Sequence, residues 1–507
     1  MAGNHLFDAL LAHGADDDRS FLLLADGDRW TYRATLSLAR RMAGVLADLG
    51  ARPGDRVVVQ VEKSPEALAL YFACVVAGVA LVPLNTAYTP AEVDYFVGDA
   101  EPVALVGDGG RAAELASIAH RHGAILLTLN ADGSGTLTDR ARDAPELAPV
   151  DRAADDLAAI LYTSGTTGRS KGAMLSHENL LSNARALVEA WQFTDTDVLL
   201  HALPIFHTHG LFVAVNVTLL AGGSMIFLPA FDADAVVDRL PEATSMMGVP
   251  TYYTRLLAHP GFTHEVAEHM RVFVSGSAPL LAETHREFAA RTGQHILERY
   301  GMTETSMITS NPYEGDRRAG TVGFPLPGVA LRICDPDSGA EVRRGEVGVI
   351  EVQGPNVFAG YWRMPEKTAE EFRSDGWFVT GDLAQLDADG YVSIVGRGKD
   401  LIISGGFNVY PKEVESVIDE IDGVVESAVI GVPHADFGEG VVAVVVLEPE
   451  VELDETAVLG SLADRLARFK QPKRVLFATD LPRNTMGKVQ KNVLREAHRS
   501  VLDGPTR

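Results

Sequence analysis

The residues best suited to chemistry begin with Tyr162-Thr-Ser-Gly-Thr-Thr-Gly-Arg-Ser-Lys-Gly172, where ten of eleven positions are Gly, Ser, Thr, Lys or Arg. Small residues in such a loop let backbone N–H groups and hydroxyls close on an anion, and Lys171 adds a point charge. The chemistry asked for is polyphosphate binding, with a solvated Gly/Ser/Thr loop as the competing reading. The P-loop pattern is not met. Counted from Gly165, Ser170 stands where the second Gly belongs and Gly172 where the hydroxyl belongs. Four further groups invite the same question. Thr303 and Glu304 place a hydroxyl and a carboxylate at a polar turn, fit either for Mg²⁺-bound phosphate or for ordinary capping. Thr380-Gly-Asp382 offers an acid on a tight turn, able to take both hydroxyls of a ribose or to close a plain hairpin. Lys488 ends the Pro/Gly loop Leu481-Pro-Arg-Asn-Thr-Met-Gly-Lys488 just before a helix, where a solvated lysine is the alternative. His207 and His209 flank Thr208. With only His201 as a further nearby ligand, they fit a structural or pocket-lining role better than a zinc site.

The elements that must position these groups are set by pattern. The apolar run from Leu157 to Leu161 predicts a buried strand entering the loop. Beyond the loop, Ser176 is a suitable N-cap for a helix that includes Asn179 to Leu187. The segments from Val272 to Leu280 and from Gln294 to Glu304 each predict a strand that ends in a small polar loop. That plan makes a ligand crevice at the carboxyl edge of a sheet. Helical and strand patterns alternate from Tyr32 to Leu84, which predicts layered α/β architecture with largely parallel sheets. From Gly323 to Val395 the pattern turns strand-rich, a β-subdomain. Gly396-Arg-Gly-Lys-Asp400 marks a boundary, and the helix and strand patterns beyond it predict a small α/β domain. The expected division is 1–397, a hinge at 398–400, and a mobile domain at 401–507.

The acidic balance, a formal net charge of −25, argues against nucleic acid or an anionic membrane as a main partner. Anionic ligands must therefore be met by local clusters of basic residues. Two cysteines, Cys74 and Cys334, allow no disulfide scaffold, and the N-terminus shows no basic signal region, so a cytoplasmic protein is expected. The apolar stretches Tyr71 to Leu84 and Gly210 to Leu228 read as core elements rather than membrane spans.

Taken in order, the Thr163-to-Gly172 loop, Tyr300-Gly-Met-Thr-Glu, Thr380-Gly-Asp, Gly396-Arg-Gly-Lys-Asp and Asn484-Thr-Met-Gly-Lys resemble the acyl-adenylate-forming superfamily of acyl-CoA synthetases, firefly luciferase and peptide-synthetase adenylation domains. The stretches Glu298-Arg-Tyr-Gly-Met-Thr-Glu-Thr305, Thr309-Ser-Asn-Pro-Tyr-Glu-Gly-Asp316 and His201-Ala-Leu-Pro-Ile-Phe-His-Thr-His-Gly210 are similar to the malonyl-CoA synthetase subgroup. The resemblance implies ATP, Mg²⁺ and CoA as cofactors and malonate, or methylmalonate, as the acid. It places Thr163, Ser164, Gly165, Thr166, Thr167, Gly168 and Lys171 around the β- and γ-phosphates, and Thr303 with Glu304 at the α-phosphate and metal. Gly276, Ser277, Ala278, Glu298 and Tyr300 would flank adenine and acyl group, and Asp382 with Arg397 would hold the ribose. Lys488 would serve the adenylation step, Lys399 the hinge, and Ser404, Gly405, Gly406 and Phe407 the CoA channel. Arg299, where the wider family commonly has a small residue, would clamp the second carboxylate, with Ser277, His207, Met302 and Arg286 in support. The resemblance also implies a lysine acetyltransferase and deacetylase acting on an exposed Lys488. Ligation of another short acid to CoA, transfer to a separate carrier protein, a luciferase-like oxygenase and a catalytically dead scaffold are the competing functions.

Overall fold

Apolar runs bounded by turn residues become strands, and helices pack between and around two large sheets. The computed structural model describes residues 3–163, 170–404, 407–434, 437–463, 465–484 and 487–502. The first sheet has seven strands, ordered Gly360–Tyr361, Lys171–Ser176, Leu157–Thr163, Ala80–Pro83, Arg56–Gln60, Ala104–Gly107 and Ile125–Thr128. It is parallel from Leu157–Thr163 onward and antiparallel at the edge that carries Lys171. The second sheet has nine strands. Its parallel centre runs from Leu297–Met302 through Val272–Ser275, Ser245–Gly248, Val198–His201 and Ser224–Phe227 to Ser20–Leu24.

The helix Pro65–Ala77 is buried from Ala67 to Ala77, and its side chains share one apolar core with residues of both sheets. A helix apolar on every side has no face for water. Ser64 caps it, Pro65 opens it and Gly78, at φ 67°, ends it in the left-handed conformation that glycine adopts without strain.

A four-stranded antiparallel sheet, Ala330–Cys334, Gly348–Gln353, Phe378–Leu386 and Val392–Arg397, forms the β-subdomain. The last sheet, of five strands, uses only residues after 401 and has its own core around Val414, Ile418, Val441 and Leu462. The chain is thus a large N-terminal domain of layered α/β sheets with a β-subdomain, and a small C-terminal α/β domain. No helix of the described residues is long and apolar enough to cross a membrane. Cys74 and Cys334 are both free and buried.

Two local expectations change. The phosphate-type loop joins two antiparallel strands, Leu157–Thr163 and Lys171–Ser176, so the chain returns along the sheet before the helix starts. Ser176 then caps the helix His177–Trp191 through a box with Asn179: Asn179 N–H donates to Ser176 Oγ at 3.1 Å, and Ser176 N–H donates to Asn179 Oδ1 at 2.8 Å. Ser176→Ala is expected to cost about 1 kcal/mol, read as a lowered urea midpoint at unchanged slope. Asp382, placed by sequence on a turn, lies inside the strand Phe378–Leu386; Gly381, at φ 72°, kinks that strand without ending it.

Candidate active site

The carboxyl ends of the parallel strands carry the loops from which the site is built, as expected for open α/β sheets. On the strand Leu297–Met302 side chains alternate, so Glu298 and Tyr300 face one way and Arg299 the other. Tyr300 donates its hydroxyl proton to Asp382 Oδ2 at 2.5 Å, and Arg397 Nε stands 3.0 Å from Asp382 Oδ1. Asp382 and Arg397 are direct cross-strand partners, which is why two residues fifteen apart meet face to face. Asp382 is buried while Arg397 is open to solvent on one side.

Glu304 sits in the turn between Leu297–Met302 and Ser306–Ser310, with Thr303, partly buried, beside it. Burial pushes the Glu304 carboxyl above its ordinary range, and Tyr361 donates a hydrogen bond to it at 3.0 Å. Lys171 lies close enough to oppose that shift. Its ammonium pairs with Glu371 at 2.9 Å and rests 4.0 Å from the centre of the Tyr361 ring. An arriving polyphosphate would compete with Glu371 for this lysine. Among the described residues no group of three or more His, Cys, Asp or Glu side chains could hold a metal by itself. A single buried carboxylate suits Mg²⁺ that arrives on phosphates, since that ion commonly takes one or two carboxylates and fills its octahedron with phosphate and water.

The other half of the site centres on Arg299. It is 3% exposed, and its Nε and Nη2 have no hydrogen-bond partner among the described residues. Burial lowers its pKa to about 9. The guanidinium lies flat against the loop after Val272–Ser275: a Cβ on Gly276 would come within 2.4 Å of Arg299 Cζ. Gly276→Ala is therefore expected to displace the guanidinium. It should cost about 1–3 kcal/mol by overpacking, and activity should fall further than stability alone predicts.

Ser277, next in the loop, holds φ 71°, a costly conformation for a residue with a Cβ, and its Oγ lies 3.3 Å from His209 Nδ1. Ala278, partly buried, follows it in the same loop. His209 Nε2 and His207 Nδ1 are buried and have no partner among the described residues. Burial holds both imidazoles neutral, that of His207 down to about 3, with Lys488 and then Arg299 adding to the effect, and that of His209 well below its usual value with Arg299 again opposing its charge. His209 opens a π-helical stretch, His209–Val215, of the kind common at functional sites. Glu298 acts on the backbone: its Oε1 accepts from Leu280 N–H at 3.2 Å, bracing the 276–280 loop, and burial raises its pKa to about 7.

Lys488 reaches the site from the small domain. Its loop is locked by Asn484, whose Oδ1 accepts from Lys488 N–H at 2.9 Å and whose N–H donates to the Lys488 carbonyl at 2.9 Å. Gly487 faces Thr251 of the large domain, where a Cβ would sit 3.6 Å away. The lysine is half-buried, not exposed as expected. Burial and then Arg397 lower its pKa to about 8, with Asp382 and Glu304 opposing and Arg299 adding to the fall. It thus lies within electrostatic reach of both halves of the site.

Arg286 is a correction. It is exposed on the helix Ala282–Thr292, whose packed side is Thr284, His285, Phe288 and Thr292, so helical phase turns it to water rather than to Arg299. Met302 is partly buried against the main core at the end of its strand. Phe407 is 55% exposed and stacks on Phe469 at 4.7 Å, while Ser404 is buried. Lys399 is exposed on the short helix Gly398–Asp400 that joins the β-subdomain to the last sheet. Ser164, Gly165, Thr166, Thr167, Gly168, Gly405 and Gly406 lie outside the described residues. The sequence reading missed Glu371 and Tyr361, both remote from Lys171 along the chain, and no local pattern singles them out.

Comparison with known proteins agrees with this geometry. A malonate–CoA ligase of Arabidopsis thaliana is 33% identical over 97% of this chain and 88% of its own length. A feruloyl-CoA synthase of Amycolatopsis is 39% identical over 92% of this chain and 94% of its own. The crystal structure of ATP-bound MatB from Rhodopseudomonas palustris superposes with a TM-score of 0.96 at 60% identity, covering 99% of this chain and 100% of that one. The AMP-binding enzyme model matches residues 12–362, and the model of the AMP-binding enzyme C-terminal domain matches 413–488. With the two segments in order and both contributing to one site, this chain belongs to the AMP-binding enzyme family.

Proposed function

We propose that the chain ligates malonate, and with it methylmalonate, to CoA at the expense of ATP, through an acyl adenylate. The observation that carries this reading is the buried guanidinium of Arg299, with two donors unpaired among the described residues, beside two neutral histidines and within reach of Lys488. A carboxylate fork satisfies such a group; an aromatic or alkyl acid would leave it buried and unpaired at a cost. The 39%-identical feruloyl-CoA synthase therefore marks shared chemistry rather than a shared acid.

In the first step one malonate oxygen attacks the α-phosphorus, the bond to the β-phosphate breaks, and pyrophosphate leaves. Little covalent work falls to the protein, so positioning and charge carry the catalysis. Thr163, the 164–168 loop and Lys171 take the β- and γ-phosphates, with Lys171 released from Glu371. Thr303 and Glu304 act at the α-phosphate, where Glu304 would hold Mg²⁺, which when bound would supply charge neutralisation. Gly276, Ala278, Glu298 and Tyr300 shape the adenine side, and Asp382 with Arg397 takes the ribose hydroxyls. Arg299, helped by Ser277, His207 and Met302, holds the distal carboxylate. Lys488 stabilises charge where the proximal carboxylate meets phosphorus.

In the second step the CoA sulfur, giving up its proton, attacks the acyl carbonyl, and the C–O bond to AMP breaks. Lys488 occupies the approach to that carbonyl, so the domain 401–507 must swing about 398–400, with Lys399 at the pivot. The segment Ser404, Gly405, Gly406 and Phe407 then faces the site and lines the pantetheine channel. The same swing would uncover Lys488, half-buried here, to a cytoplasmic acetyltransferase and deacetylase.

The test is AMP formation from ATP, Mg²⁺ and CoA with malonate, methylmalonate, succinate and acetate side by side. Strong preference for malonate and methylmalonate is expected. Equal or better use of acetate would remove the second-carboxylate reading while keeping the adenylating one.

A further inference from the structure

Outside the ATP and acid sites, Lys63 lies between the two large sheets. It follows the strand Arg56–Gln60 of the first sheet and reaches the last residues of two strands of the second, His201 and Phe227, themselves register partners. The side chain is buried, yet every partner it has among the described residues is neutral. Nζ donates to His201 Nδ1 at 2.8 Å and to the His201 carbonyl at 2.8 Å, and it stands 4.3 Å from the centre of the Phe227 ring. A buried lysine without a carboxylate is uncommon, and here its donors are spent on one histidine and one ring.

The histidine passes that constraint on. His201 Nε2 lies 2.8 Å from the Gly210 carbonyl, which can only accept, so Nε2 carries the proton and Nδ1 is free to accept from lysine. The imidazole therefore ties together the two ends of the segment 202–209, which contains His207 and His209. Gly210 leaves no slack at the closing point, since a Cβ there would sit 2.0 Å from the Pro204 carbonyl oxygen. Leu211 N–H donates to the His207 carbonyl at 2.9 Å, continuing the closed loop into the π-helical stretch.

We propose that Lys63 is a positioning residue for the acyl half of the site, acting through the tautomer of His201 to hold the loop that presents His207 and His209. The proposal rests on the reading that these histidines line the acid's site. The test uses the full chain. Lys63→Met keeps length and removes the donors; His201→Leu removes the link; His201→Gln keeps an acceptor for lysine and a donor for Gly210. In hydrogen–deuterium exchange, Lys63→Met and His201→Leu should raise exchange across 202–215 and leave the strand Lys171–Ser176 unchanged. In AMP formation they should lose about 10- to 100-fold in kcat/KM for the acid, with KM for ATP within about twofold of the parent. His201→Gln should recover most of that loss. Unchanged exchange and acid kinetics in both apolar variants would overturn the proposal, as would equal losses for acid and ATP. Should Lys63→Met fail to fold, the contrast between His201→Leu and His201→Gln decides the matter alone. If the parent enzyme ignores malonate, the malonate reading fails while loop exchange still reads the positioning role.

Discussion

Replacing Lys488 with Met is expected to lower adenylation of malonate by about 10²- to 10³-fold, the usual loss when a preorganised donor to developing charge is removed. Thioester formation from supplied malonyl-AMP should stay near the parent rate, because the proposed swing takes the lysine away from the carbonyl before CoA arrives. The two half-reactions, followed as pyrophosphate release and as CoA consumption, are read separately. A Lys488→Gln variant, mimicking acetylation, should behave alike, and equal loss of both half-reactions would contradict the assignment. The same residue sets a pH limb. Burial and Arg397 bring its pKa down to about 8, and the role proposed for it needs the cation. Adenylation kcat/KM, which reports the free enzyme, should therefore be full below about pH 8 and fall with one-proton dependence above it. Bound ATP adds negative charge beside the ammonium, so the limb in kcat should sit higher. Lys488→Arg should move the limb to higher pH, since a guanidinium holds its proton more tightly than an ammonium.

Arg299→Met is expected to change two properties in opposite directions. Malonate kcat/KM should fall about 10²- to 10³-fold, the cost of removing one partner of a buried charge pair, while KM for ATP stays within a few-fold. Activity with acetate, which brings no second carboxylate, should survive, so the preference between the acids should invert. Arg299→Lys should recover only part of the loss, because an ammonium cannot form the planar fork. Meanwhile the ligand-free protein should become more stable. The arginine is buried, burial lowers its pKa to about 9, and two of its donors lack partners among the described residues; an apolar side chain of similar length removes that cost. A rise of about 2–5 °C in the thermal midpoint is expected by calorimetry. Malonate should stabilise the parent and not the variant. A variant that is less stable and still prefers malonate would mean that Arg299 serves packing and not recognition.

Both predictions depend on groups whose types were visible in the chain but whose circumstances were not. Local pattern was enough for the strand entering the phosphate-type loop, for the Ser176 cap and for the β-subdomain, because turn chemistry and hydrophobic period act over a few residues. It was also enough for the identity of the ionisable residues, because five short motifs in order carry them. Side-chain direction was legible only in part. Arg286 and Arg299 read alike as basic candidates, but helical phase turns the first to solvent and strand alternation buries the second. Asp382 read as a turn residue because Gly381 precedes it, yet pairing on both sides keeps the strand going.

What the tertiary structure alone decided is which charges meet. Glu371 neutralises Lys171 across 200 residues, Lys63 meets His201 across 138, and Lys488 stands between Asp382, Glu304 and Arg299 because a separate domain docks there. No sequence period spans such distances. Desolvation and Coulomb energy depend on separation in space, so the pKa of a lysine or the isolation of a guanidinium is a property of the packed chain and not of the residue.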